Sequence, residues 1–251
     1  MSYSYQAILY SHILAGAIAL VLFWVPVTAR KGALNHKKFG AHYRHAMQCT
    51  IATGAILASV WLFAPTVLYP DIARNPAAAA ELQRFAIFLL HLAVQMYASV
   101  MMGQWALDAK QSRRSLRCFS RTAPAVLLTA TSLYIGVIGM INQHILMLIF
   151  APLGLSISIG QLRFIFAKKV AAKAWLVEHL GGYIGSGIAA YTAFAAFGGR
   201  TLFSDIGAWQ YAFWVLPGLI GGIAIGRLSR RYSVNTVEST AKRTAENTRQ
   251  A

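Results

Sequence analysis

Seven histidines are the residues of this 251-residue chain best suited to chemistry, because imidazole can ligate a metal or a haem iron and can carry a proton near neutral pH. Their depths follow from counting along each helix to the cationic residue that closes it. His12 lies about 27 Å from Arg30, His91 about 28 Å from Lys110, and His144 about 28 Å from Arg163, at the helical rise per residue. These three share one level. His45 opens another apolar run and His179 stands about 9 Å past Lys173, which defines a second level. His36 and His42 lie among Lys37, Lys38 and Arg44 and read as headgroup or solvent contacts. Ionisable residues within apolar segments are costly to keep, so these positions are the first place to seek function.

Three chemistries fit the histidines. In the first, pairs of histidines on facing helices hold haem b for electron transfer. His12 and His91 would form an outer site, His45 and His179 an inner one. Gly16 lies at i+4 from His12, and Gly182 and Ser186 lie at i+3 and i+7 from His179, so each shares its histidine's helix face. A glycine there clears space for a flat macrocycle, but it equally permits close helix packing, as Gly181 and Gly185 would. The two levels are about 19 Å apart, a spacing suited to an electron relay. Gln95, on the face of His91, could bond a quinone headgroup, and a quinone or redox partner follows from this reading. The arrangement broadly resembles the logic of cytochrome b561-type proteins, whose sequence motifs are not present.

In the second, His12, His91 and His144 bind zinc and activate its water, giving a membrane hydrolase. This resembles the adiponectin-receptor type of zinc hydrolase in span count alone: the His-x-x-x-His pair is missing and no carboxylate is at hand as a base. In the third, no cofactor is bound and the histidines hydrogen-bond between the helices of a carrier, sensor or assembly protein. Glu178 is the acid set clearly inside an apolar run, beside His179, where an interfacial ion pair is expected. The lack of a second deep carboxylate argues against a proton pump or a paired-acid hydrolase.

The elements that carry these residues are membrane helices. Apolar residues make up 57% of the chain and charged ones 12%, against about 25% charged in soluble domains. The mean hydropathy is +0.52. A soluble enzyme, a disulfide scaffold and a disordered protein are excluded. Seven apolar runs, at about 7–28, 46–68, 82–107, 122–141, 144–166, 175–198 and 208–227, each approach the roughly 20 residues needed to cross a bilayer. The expected fold is all-α, a polytopic transmembrane bundle of about seven spans over residues 1–228.

The net charge of +16 suggests nucleic acid at first sight, but its placement assigns it to the membrane. Arg30 to Arg44, Lys110 to Arg121, Arg163 to Lys173, and Arg227 with the residues after it, hold the basic side chains of alternate connections. Only Arg74, Arg84 and Arg200 belong to the opposite side. The positive-inside rule then puts the amino terminus outside and the carboxyl terminus in the cytoplasm. A bacterial cytoplasmic (inner) membrane with anionic lipid at the inner face is the expected setting, and no folded basic module for nucleic acid is present. The first run has no basic residue ahead of it and is too long for a cleaved signal. Residues 229–251 read as a polar, basic, disordered tail. Cys49 and Cys118 read as free thiols on the cytoplasmic side.

Two prolines punctuate the loop at 69–81, and Asn142-Gln143 leaves a very tight turn between the fourth and fifth spans. Pro152 with Gly154, and Pro217 with Gly218, are expected to bend their helices. The Trp residues lie mostly near span ends and fit an interfacial belt. One more pattern stands in the first sixty residues: His12-x-x-x-Gly16, then Lys31-Gly32, then His36-Lys-Lys-Phe-Gly40-x-x-Tyr43 and Met47. It resembles an uncharacterised family of multi-pass bacterial membrane proteins whose usual form is His-Arg-x-x-Gly-Arg-x-Tyr, with Lys37 and Ala41 standing here in place of the two arginines. Glu178-His179-Leu-Gly-Gly adds to the likeness. The resemblance implies the membrane class and marks His12, His36 and Gly40. It implies no reaction.

Overall fold

A computed structural model describes residues 3–202, 212, 214–223 and 225–227. The expectations for Trp209, the Arg200 side chain and the tail at 229–251 fall outside them. The protein is a polytopic helix bundle, with no strand among the described residues. Its helices are α1 (Tyr3–Thr28), α2 (Leu34–Phe63), α3 (Pro76–Asp108), α4 (Phe119–Asn142), α5 (Ile145–Phe166) and α6 (Ala174–Leu202). A shorter apolar helix, α7 (Trp214–Arg227), represents the seventh run. The first six are long and apolar enough to cross a membrane; even α5, at 22 residues, extends about 33 Å. The chain forms two compact units, the first Met1–Val100 with Ala123–Ile159 and the second Met101–Thr122 with Gly160–Ala251.

Two helices begin well before their apolar runs. α2 starts at Leu34, taking in the whole basic stretch, because no proline lies between Leu34 and Met47 and its charged side chains remain outside the apolar segment. α3 starts at Pro76, where the missing N–H costs nothing, and Asn75 caps it by accepting from the Ala78 amide at 3.1 Å. The alanine run is thus already helical. The tight turn after α4 has a defined geometry. The His144 amide donates to the Gly139 carbonyl at 2.9 Å and Gln143 has φ 51°, which together make a Schellman ending with a non-glycine residue in the left-handed position.

Packing runs opposite to that of a water-soluble bundle. α4 buries Ala125, Leu128, Ser132, Ile135 and Gly139, one stripe at helical spacing, while Val126, Leu127, Leu133, Val137 and Met140 point outward. The small and polar residues Ala125, Ser132 and Gly139 thus face the bundle together with Leu128 and Ile135, and the other large apolar side chains are left to lipid. Against that stripe comes α5: a β-carbon on Gly139 would stand 2.9 Å from Met147 Cβ, and one on Gly136 would stand 3.3 Å from Ala151 Cβ.

α1 and α2 form an antiparallel hairpin whose register is marked at each level. Trp61 Nε1 donates to Tyr5 Oη at 3.0 Å, Gly16 meets Thr50, and the Phe23 ring lies 5.8 Å from Tyr43. At the closed end, Lys31 Nζ donates to the Pro26 and Val27 carbonyls, and His36 Nδ1 donates to Pro26 O at 3.0 Å. Carbonyls at the end of α1 have no partner within their own helix, and these two side chains supply one. Gly32, at φ +80°, makes the turn between the helices. Lys31, Gly32, His36 and Tyr43 of the sequence pattern thus serve the hairpin.

In the second unit, Met102, Ala106, Ala109, Leu116, Phe164 and Ile165 make a core between the ends of α3 and α5 and the 3-10 turn Arg113–Arg117. Arg121 pairs with Asp108 at 3.0 Å and covers the Trp105 ring.

Candidate functional site

The deepest polar cluster lies within the first unit. His91 (1% exposed), Gln95 and Ser99 are all buried; their i, i+4, i+8 spacing makes one stripe about 12 Å long on α3. α4 supplies Thr131 and Ser132, and α5 supplies Gly154. His91 Nδ1 lies 3.0 Å from Thr131 Oγ1. Thr131 Oγ1 also donates to the Leu128 carbonyl at 3.2 Å, an arrangement that favours the imidazole hydrogen on Nδ1. Nε2 is then the lone-pair nitrogen.

That nitrogen points at a glycine. A β-carbon on Gly154 would collide with Ser132 Oγ and would stand 3.0 Å from His91 Cε1 and 3.2 Å from Nε2. The absence of a side chain at Gly154 therefore keeps both polar groups in place. Three buried side-chain atoms here lack a hydrogen-bond partner: His91 Nε2, Gln95 Oε1 and Ser132 Oγ. Gln95 and the Phe150 backbone lie close to the imidazole without reaching hydrogen-bond geometry to Nε2. The set offers two acceptors and a hydroxyl that can donate or accept. Each orphaned group costs about 1–3 kcal/mol when buried, so the cluster is a place where a hydrogen-bonding guest gains most. A Ser–His hydrolase does not fit it. Ser132 Oγ and His91 Nε2 are not hydrogen-bonded to each other, and both residues are sealed from a bulky substrate.

The remaining histidines each have their own setting. His12 Nδ1 donates to the Thr50 carbonyl at 3.0 Å and lies 3.1 Å from Thr53 Oγ1, both on α2, and its ring rests against Gly54. His144 Nε2 lies 3.8 Å from Glu81, itself paired with Arg84. Among the described residues no three His, Cys, Asp or Glu side chains gather as a metal site. The expected three-histidine centre of His12, His91 and His144 is thus not formed, because each ring is turned to a different neighbour. His45 is exposed and its Nε2 lies 3.1 Å from Arg44 Nη2. In the second unit, His179 Nδ1 donates to the Gly103 carbonyl at 2.8 Å. Gly182 is the close neighbour of Gly103 there, with its Cα 3.3 Å from where a β-carbon of Gly103 would stand. Gly16 and Gly182, expected to clear a macrocycle, both lie at contacts between helices.

Glu178 makes no ion pair among the described residues, against the expectation for it. Both cysteines are free. The His91 imidazole lies close to α5 at Gly154, where a β-carbon would stand 3.2 Å from Nε2. Sequence reasoning found His91 and Gln95 but missed Thr131, Ser132 and Gly154; the signal available was the run of threonines and serine in α4 and the lone small residue after Pro152, neither of which points at a partner by itself. No protein-family model, curated protein or solved structure matches this chain.

Proposed function

We propose that this chain is a membrane carrier that takes a small, uncharged, hydrogen-bonding solute at the cluster of His91, Gln95 and Ser132. The observation that supports this reading is the orphaned trio: three buried polar side-chain atoms without a hydrogen-bond partner, gathered where the missing side chain of Gly154 lets α5 approach them closely. The guest is taken as uncharged because no carboxylate or cation lines the cluster, and an ion in that surrounding would meet a large desolvation cost. The donors of the guest would satisfy Nε2 and Oε1, and its acceptor the Ser132 hydroxyl. Purified protein in liposomes tests it by stopped-flow light scattering with ureas, amides and small polyols. At least one should enter faster than into protein-free liposomes, and Gly154→Ala should return the rate to the protein-free value. Equal rates with and without protein for the whole panel would sink the carrier reading.

A second reading, a b-type haem protein, draws on His12. Its Nδ1 hydrogen is fixed on a backbone carbonyl, which leaves Nε2 as the nitrogen that binds iron and fixes the ring's orientation, as histidine ligands to metals require. A Soret band in the purified protein that His12→Ala removes would favour it; a colourless protein ends it.

A further inference from the structure

We propose that the concavity at the start of α4 binds the phosphate of an anionic phospholipid headgroup. Ser112, Arg113, Arg114, Arg117 and Cys118 line a hollow of about 750 Å³, formed on the short turn between α3 and α4. Two of its arginines are held in place by the end of α5. Arg113 Nη1 donates to the Phe164 carbonyl at 2.7 Å, and Arg117 Nε donates to the Ile165 carbonyl at 3.4 Å. Such tethers occupy part of each guanidinium and orient the rest, so little side-chain freedom is lost when an anion arrives. Arg114 has no such duty. Its side chain is exposed and makes no hydrogen bond or ion pair among the described residues. Among those residues, no acid pairs with any of the three; the nearest in sequence, Asp108, is held by Arg121.

Three guanidiniums around one hollow, without a carboxylate, match a phosphate, which accepts in the forked geometry arginine offers. The surroundings favour a lipid as its source. Phe119 (88% exposed) begins α4 and Phe166 (52% exposed) ends α5, so two exposed aromatic rings stand at helix ends, as at a membrane interface. This inference is independent of the carrier reading.

Native mass spectrometry of the full chain with phosphatidylglycerol, phosphatidylcholine and added inorganic phosphate tests it. Phosphatidylglycerol should be retained over phosphatidylcholine, and Arg114→Gln should weaken its retention about fivefold, the effect of one basic residue at an anionic surface. Arg114→Lys should restore most of it. Inorganic phosphate that leaves the lipid bound assigns the hollow to the headgroup; phosphate that displaces it assigns a soluble phosphate compound and overturns the lipid source. As a second readout in the Cys49→Ser background, phosphatidylglycerol should slow alkylation of Cys118, which lines the hollow. Equal lipid retention by the original protein and Arg114→Gln, with Cys118 alkylated at the same rate in both lipids, would overturn the site altogether.

Discussion

His91 illustrates how far a residue type can be read before its neighbours are known. Its burial follows from an apolar run with a single imidazole in it, and Gln95 from the helical repeat. Its tautomer does not. That depends on Thr131, whose own hydroxyl also donates to Leu128, and on α4 lying beside α3. Serine and threonine recur in membrane helices bonded to their own backbone, so nothing in the sequence separates Thr131 and Ser132 from Thr129, which bonds Ala125 O in the usual way. Thr131→Val should remove the anchor of the ring and destabilise the fold by about 1 kcal/mol, within the range of interhelical hydrogen bonds in membranes, as measured by unfolding in mixed micelles. Gly154→Ala should cost more, about 1–3 kcal/mol, since a packed core must be forced apart. If Gly154→Ala were as stable as the original, the close approach at Ser132 would be disproved. At the edge of the bundle, hydrogen bonding from the Ser120 hydroxyl, then from the Arg121 backbone, holds the Cys118 thiol below the usual cysteine range. A lowered value means more thiolate at a given pH, so the alkylation rate of Cys118 should rise at lower pH than that of an unperturbed thiol.

Elements were the most legible level. Six of the seven apolar runs are helices of spanning length, because a stretch without water must bond its own backbone. The differences lie at ends, where hydropathy carries no information. α2 and α3 extend through polar or alanine-rich sequence because no proline interrupts it and Asn75 with Pro76 begins the second of them. The Lys31-Gly32 and His36 pattern proved to be helix-end chemistry, which its basic composition disguised as a headgroup contact. At the α4–α5 turn, Gln143 occupies a left-handed position that costs an ordinary residue about 1 kcal/mol. Gln143→Gly should therefore stabilise the protein by about 0.5–1 kcal/mol; a loss of stability in the same unfolding assay would refute the assigned turn.

For the whole molecule, the distribution of lysine and arginine bears on orientation and the buried polar groups bear on the proposed function, and the two signals are independent. Orientation from the positive-inside rule predicts that Cys118 is alkylated by an impermeant maleimide in inverted membrane vesicles and is protected in intact cells; the opposite pattern would reverse every connection. What the sequence could not supply is azimuth. Equal depth made His12, His91 and His144 candidates for one site, yet their rings turn to α2, to α4 and to Glu81 respectively. Depth comes from counting along one helix, whereas facing depends on which helices are neighbours.

The central claim is that His91 offers an unprotonated Nε2 to a solute inside the bundle. Nitrogen NMR of the histidine-labelled protein in lipid, with His91 assigned by its absence in His91→Phe, reports this directly. The account predicts a neutral ring protonated at Nδ1, with an Nε2 signal typical of a bare lone pair that moves when a permeant solute is added. A ring protonated at Nε2, or an Nε2 signal indifferent to every solute that enters the liposomes, would contradict it.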